Sequence, residues 1–367
     1  MKPERDPHAA AGQFEFRGEV AAMEPYGNGH INDTYLVTCR TPDGAARYIL
    51  QHVNRSVFRS PTLVMENIER VTAQVAAQLG EHPDRDRRTL RLIPTWDGGN
   101  WHQDEQGETW RAYRFIEGAR SYDTVSSAGQ AFQSAQAFGR FQQQLAQLPG
   151  PRLNETIPDF HHTPKRFAAL EQAIAADVAG RAHLVQPEIE FARTRQAITG
   201  VLIDAGGNGD LPERITHNDT KFNNVLLDAA TGESLCVIDL DTVMPGLALY
   251  DFGDMVRTTT SPSDEDERDL RKVGMQFAMF EALVRGYLST AAGFLTRTEK
   301  EFLAFSGKLI TFEIGIRFLT DYLNGDTYFR IHREGQNLDR CRAQFKLVES
   351  IEEQEEAMNR LVESIAG

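Results

Sequence analysis

At 367 residues, 41% hydrophobic and 25% charged, the chain is long enough for two lobes with sizeable cores and has the balance of an ordinary globular enzyme. Its net charge of -14 argues against a nucleic-acid partner, which demands a basic face, and no run approaches the ~18 apolar residues of a membrane span. Cys39, Cys236 and Cys341 are too far apart for a metal pair or an obvious disulfide framework, and residues 1–7 lack the apolar core of a signal peptide, so a cytoplasmic location is expected.

Residues 14–53 read as strands. A strand ending near Tyr26 enters the turn Gly27-Asn28-Gly29-His30-Ile31-Asn32-Asp33 and continues as the alternating strand 34–38. Glycines in such a turn let backbone N–H groups approach phosphates closely. Residues 48–51 form the next strand, and no lysine occurs between Lys2 and Lys165. Ser60-Pro61 then opens a helix with an apolar stripe of Val64, Ile68, Val71, Val75 and Leu79, closed by Gly80. Residues 110–118 read as a strand running into a glycine. Beyond about residue 120 the spacing turns helical, as at Phe132, Phe138, Phe141 and Leu145. His161 and His162 precede Thr163-Pro164 at a helix start and read as exposed, and the acidic run 264–267 reads as the first turn of a surface helix.

The most informative stretch is His217-Asn218-Asp219-Thr220-Lys221-Phe222-Asn223-Asn224, followed by a hairpin ending at Ile238-Asp239. Residues 225–227 form one short strand, 228–232 a turn and 235–238 a second strand. A phosphoryl-transfer site needs one carboxylate to accept the proton of the attacking hydroxyl. It also needs an amide oxygen and a second carboxylate to hold the Mg²⁺ that bridges the nucleotide phosphates. Asp219 fits the first role, and Asn224 with Asp239 fits the second. His217 is expected to orient the loop by hydrogen bonding. Tyr250-Asp251-Phe252-Gly253 spells a metal-binding D-F-G, but it lies away from a strand end, so Asp251 is expected to cap a helix and support the loop.

These motifs resemble the aminoglycoside phosphotransferase superfamily of small-molecule kinases. Together with Tyr26–Tyr35, Val237–Gly246 and Arg317–Asp326, they are similar to the N-acetylhexosamine 1-kinases. The resemblance implies an α+β, bilobal, protein-kinase-like fold. Its N-terminal lobe of nucleotide-binding sheet plus helix would span residues 1–118, and its helical C-terminal lobe residues 119–367. It implies ATP- and Mg²⁺-dependent phosphorylation of the C1 hydroxyl of N-acetylglucosamine or N-acetylgalactosamine. Asp219 would be the base and Asn224 and Asp239 the metal ligands. Sugar contacts would come from His30, Thr242, Arg317 and Tyr328. The nucleotide would lie under Gly27, Asn28, Gly29 and Asn32, with the segment around Phe115 and Glu117 as the adenine hinge. One departure is clear: Gln51 stands where a kinase carries its phosphate-binding lysine. The alternatives are a kinase for another small alcohol or an aminoglycoside, or a binding protein without catalysis. The sequence leaves the oligomeric state open.

Overall fold

The computed structural model describes residues 6–27 and 31–366. The chain forms two compact units. The first takes residues up to Arg120 together with Gln147–Ile157 and Leu226–Met244, and the second takes Ser121–Ala146, Pro158–Val225 and Pro245 onward.

The first unit opens with helix α1 (Pro7–Ala11), capped by Asp6, whose carboxylate accepts from His8 N at 2.9 Å and Ala9 N at 3.1 Å. Strands β1 (Glu19–Pro25), β2 (Asp33–Thr41), β3 (Gly44–Val53), β4 (His102–Gln103) and β5 (Thr109–Arg114) form one antiparallel sheet in the order β1-β2-β3-β5-β4. Alternation along the strands sends Val37, Cys39, Tyr48, Leu50, Trp110 and Ala112 to one face, where Phe14 and Phe16 cover them. The opposite face carries Thr34, Gln51 and Arg111 side by side. Helix α2 (Pro61–Leu79) matches the apolar stripe, and Gly80 ends it at φ 52°. Its buried Asn67 donates to the carbonyls of Asn154 (2.9 Å) and Val243 (3.0 Å), tying two later segments into the unit.

The short helix α3 (Arg85–Arg88) supplies Arg87, which donates to Asp228 Oδ2 at 2.7 Å and to the Glu117 carbonyl at 3.0 Å. Strand β6 (Ala119–Arg120) pairs with the first strand of the hairpin, Val225–Asp228, whose second strand is Ser234–Val237. Asp228 Oδ1 closes the hairpin turn by accepting from Ala230 N and Thr231 N.

The second unit is helical: α4 (Ala128–Leu145), α5 (Thr163–Ala176), α6 (Gln186–Thr194), α7 (Val201–Gly207), α8 (Ala248–Thr259), α9 (Phe277–Ala291), α10 (Arg297–Glu301), α11 (Leu303–Leu323) and α12 (Gln336–Ala366). Almost every residue of α11 is buried, and its Phe312, Ile316 and Leu319 pack with Phe167 and Leu170 of α5 and Phe345 and Val348 of α12. Helix α8 lies against α11 at two glycines. A Cβ on Gly253 would strike the Ser306 carbonyl and Ile310 Cγ1, and one on Gly307 would reach Val256 Cγ1 at 2.6 Å. Among the described residues no helix is long and apolar enough to cross a membrane.

Three local expectations are corrected. His161 is buried, because its Nδ1 lies 2.8 Å from Glu313 Oε1 inside the second unit, and His162 is half-buried as the N-cap of α5. The acidic run 264–267 forms no helix, since Glu265 and Asp266 are drawn to Arg257 and Arg333. Asp251 lies inside the first turn of α8, whose N-cap is Leu247, and its side chain is spent elsewhere.

Candidate active site

In the second unit, strand Arg214–Thr216 delivers the chain into the loop at His217. Asn218 adopts φ 64°, a left-handed conformation costing on the order of 1 kcal/mol outside glycine. Helix α8 holds it there. Asp251, fully buried, accepts from His217 N at 2.9 Å (Oδ2) and from Asn218 N at 2.7 Å (Oδ1). Gln142 Nε2 also donates to Asp251 Oδ2, at 2.6 Å. Asp254 Oδ2 accepts from Thr220 N at 2.9 Å, and the Thr220 hydroxyl donates to the Asp251 carbonyl at 2.7 Å. His217 is buried edge-on to Phe138 and Phe141, and its Nδ1 accepts from Asp219 N at 3.3 Å, the orienting bond the sequence predicts.

The five-residue step brings Asn224 onto Asp219. Asn224 Nδ2 donates to the Asp219 carbonyl at 2.8 Å and to its Oδ2 at 3.1 Å. With the amide nitrogen turned to Asp219, the amide oxygen is the end left to meet a cation. Asp219 Oδ1 faces Lys221 Nζ at 3.0 Å. Burial works to raise the Asp219 carboxyl, but Lys221, His217 and Arg257 outweigh it and bring the group below the ordinary aspartate range. A carboxylate held ionised in this way can accept a hydrogen bond from a hydroxyl. In the sequence, only its place two residues after Asp219 marks Lys221.

Asp239, in the first unit, follows the second hairpin strand at φ 60° and opens the 3₁₀ turn Leu240–Thr242. Its side chain is exposed. The next acid, Asp241, is buried and engaged by Arg111 Nη1 and by Asn32 Nδ2 at 2.6 Å. An exposed carboxylate and an amide oxygen are hard oxygen ligands of the kind Mg²⁺ takes, so Asp239 and Asn224 have the right chemistry for that ion. Among the described residues there is no cluster of three or more His, Cys, Asp or Glu that offers a competing metal site.

The remaining nucleotide candidates lie in the first unit. Gly27 has φ 76° with nothing among the described residues where a side chain would be, whereas Asn28, Gly29 and His30 fall outside the described residues. The Asn32 side chain ties the turn to Asp241 and accepts from Asn54 N at 3.0 Å. The Phe115 ring is flanked by Tyr26 and the Arg47 guanidinium, and Glu117 pairs with Arg47. Thr242 sits half-buried in the Asp239 turn.

Arg317 and Tyr328 come together in the second unit. The Arg317 guanidinium lies 5.4, 5.9 and 5.7 Å from the rings of Phe160, Tyr328 and Phe329. The two carboxylates one turn away make their hydrogen bonds elsewhere, although Arg317 helps to draw the Glu313 carboxyl down. Glu313 is taken by His161 and by the Thr163 hydroxyl at 2.6 Å. Asp321 accepts from the backbone N–H groups of Thr327, Tyr328 and Phe329 and from Asn337, which fixes the loop that presents the 66%-exposed Tyr328.

A family model described as the phosphotransferase enzyme family matches residues 22–284. Similar solved structures include an aminoglycoside phosphotransferase from Alicyclobacillus acidocaldarius, at 12% identity over 99% of this chain and 98% of that one, with a TM-score of 0.67. A microcompartment-associated aminopropanol kinase aligns at 18% identity over 96% and 97%, with a TM-score of 0.60. A spectinomycin phosphotransferase, solved with ADP and spectinomycin, aligns at 12% identity over 92% and 94%, with a TM-score of 0.57. At these identities the structures establish the fold, which is the α+β protein-kinase-like one with a β-rich part and a mainly helical part. The chain belongs to the phosphotransferase enzyme family, and it is an enzyme.

Proposed function

We propose that the chain is an ATP- and Mg²⁺-dependent kinase that phosphorylates the anomeric C1 hydroxyl of N-acetylhexosamines, giving the sugar 1-phosphate and ADP. The observation that carries the acceptor reading is Arg317, a guanidinium flanked by three rings with both neighbouring carboxylates committed elsewhere. Such a cation offers directional donors to hydroxyl and acetamido oxygens, and aromatic faces suit sugar rings. It also favours a neutral sugar over a polycationic aminoglycoside, which would meet like charge there. The motif resemblance over residues 26–35, 217–224, 237–246 and 317–326 supports the same acceptor.

In this reading Asp219 accepts a hydrogen bond from the C1 hydroxyl, aligns it with the γ-phosphorus and takes its proton as the new O–P bond forms and the bond from the γ-phosphorus to the ADP oxygen breaks, ADP leaving with the electron pair. Lys221 keeps that carboxylate ionised and supplies the ammonium nearest the base. Asn224 and Asp239 would hold Mg²⁺, which supplies charge neutralisation on the phosphates. Phosphoryl-transfer transition states are loose, so alignment and electrostatics do more here than base strength. The first unit, with Gly27, Asn32, Phe115 and Glu117, takes the nucleotide, and the second presents Asp219, Arg317 and Tyr328 to the sugar. Dependence on ATP and three separated, buried cysteines both fit the cytoplasm.

A coupled ADP-release assay over free sugars, aminoglycosides and small amino alcohols tests the acceptor class. Proton–phosphorus NMR of the product tests the position. Turnover highest on N-acetylhexosamines, with phosphorus coupled to the anomeric proton, is expected. Coupling to the C6 methylene protons, or preference for an aminoglycoside, overturns the reading.

A further inference from the structure

Directly paired residues of antiparallel strands share a face, so Thr34 of β2, Gln51 of β3 and Arg111 of β5 form one row. The row is a continuous hydrogen-bonded chain. Gln51 Nε2 donates to Thr34 Oγ1 at 3.1 Å, and Gln51 Oε1 accepts from Arg111 Nε at 3.0 Å and Nη2 at 2.9 Å. The third arm of the guanidinium, Nη1, grips Asp241 Oδ1, while Asn32 takes the other carboxylate oxygen. The Arg111 and Asp241 side chains are 1% and 3% exposed. A buried ion pair adds little net stability, because desolvating both charges offsets their attraction. The pair therefore calls for a positional explanation, and Asp241 sits two residues after Asp239 in the same short turn.

We propose that Arg111 is the positioning residue for Asp239. By holding Asp241 it fixes the Leu240–Thr242 turn, aims the Asp239 carboxylate at Mg²⁺ and keeps the second carboxylate of the Asp-Leu-Asp sequence from competing for the ion. The lysine absent from β3 is thus replaced, one strand over, by a cation that acts on the metal ligand instead of on the phosphates. Gln51, which stands in the lysine's place, serves to hold that cation. This inference rests on the reading of Asp239 as a metal ligand.

Calorimetric titration with MgADP, and with ADP in EDTA, alongside melting temperatures, tests it on Arg111→Met, Arg111→Lys, Arg111→Met/Asp241→Asn and Asp239→Ala. Loss of a residue that orients a metal ligand weakens metal binding about ten- to a hundred-fold, so Arg111→Met should lose MgADP affinity on that scale while metal-free ADP binds as in the wild type. Arg111→Lys, which keeps the charge, should recover part of the loss. The double variant removes both buried charges, so it should regain melting temperature but not MgADP affinity. Recovery of affinity together with stability, or wild-type MgADP affinity in Arg111→Met, overturns the proposal and leaves a merely structural pair. If Arg111→Met does not fold, the double variant and Gln51→Ala carry the same comparison. Wild-type MgADP affinity in Asp239→Ala sinks the metal-ligand reading, and the proposal with it. A loss in Asp239→Ala with none in the Arg111 variants sinks the proposal alone.

Discussion

Asp251 and Asp239 invite a direct contrast, because only one of them faces solvent. Replacing Asp251 with alanine leaves three donors, His217 N, Asn218 N and Gln142 Nε2, without their acceptor in a fully buried site. Hydrogen bonds to a charged group contribute roughly 1.5–3 kcal/mol each, but the lost carboxylate also no longer has to be desolvated. Breaking one side of a buried charged cluster therefore nets about 3–5 kcal/mol. For a unit of this size that is a fall in melting temperature of about 6–20 °C. The Asn218 backbone, at φ 64°, would lose its anchor, so turnover should fall together with stability. Asp239→Ala removes an exposed carboxylate but puts alanine at φ 60°, which costs about 1 kcal/mol, so its melting temperature should fall by only about 2–4 °C while MgADP affinity collapses. Thermal unfolding and calorimetry on the two variants suffice. A stable Asp251→Ala protein that loses MgADP binding would refute the reasoning and exchange the two roles.

Lys221→Met should move the acidic limb of kcat/KM to higher pH. A base must be ionised to accept the proton, Lys221 draws the Asp219 carboxyl below the ordinary range, and without the ammonium burial pushes it up. A limb that stays in place, or shifts toward acid, contradicts the pairing. Asp219→Asn should abolish turnover while MgADP still binds, and residual turnover within a few-fold of wild type removes Asp219 as base. Arg317→Ala should lower kcat/KM for the N-acetylhexosamine about ten- to a hundred-fold with the KM for ATP unchanged, as expected for one lost charged hydrogen bond. An equal loss with every acceptor alcohol would detach Arg317 from sugar recognition.

What the sequence discloses and what it hides separate by range of interaction. The stripe of α2 and the turn at Asp228 depend on neighbours within a few residues, and both are legible. So is the step that lays Asn224 against Asp219. The partner of His161 is Glu313, and Asp251 serves amide groups more than thirty residues before it. Read locally, a histidine beside a helix start looks exposed and an aspartate before a helical run looks like a cap. Arg111 and Gln51 become neighbours only once the strand register is known, and Asp241 reaches Arg111 across 130 positions. The acids at 264–267 show the converse, since arginines distant in sequence override a local helix signal.

The glycine contact between α8 and α11 carries a consequence for how this enzyme can diversify. Gly253 and Gly307 bring the two helix backbones against each other, so neither helix can slide without steric collision. One of them grips the loop that bears Asp219, and the other carries Arg317 about 15 Å further along its axis. The anchor of the Asp219 loop and the helix that bears Arg317 are thus one stiff piece. Under the proposed function, substitutions at the far end of α11, or in the loop cradled by Asp321, exchange one acceptor for another while the Asp219 carboxylate stays where it was. New substrates become reachable through side-chain replacement alone, with the chemistry inherited unchanged.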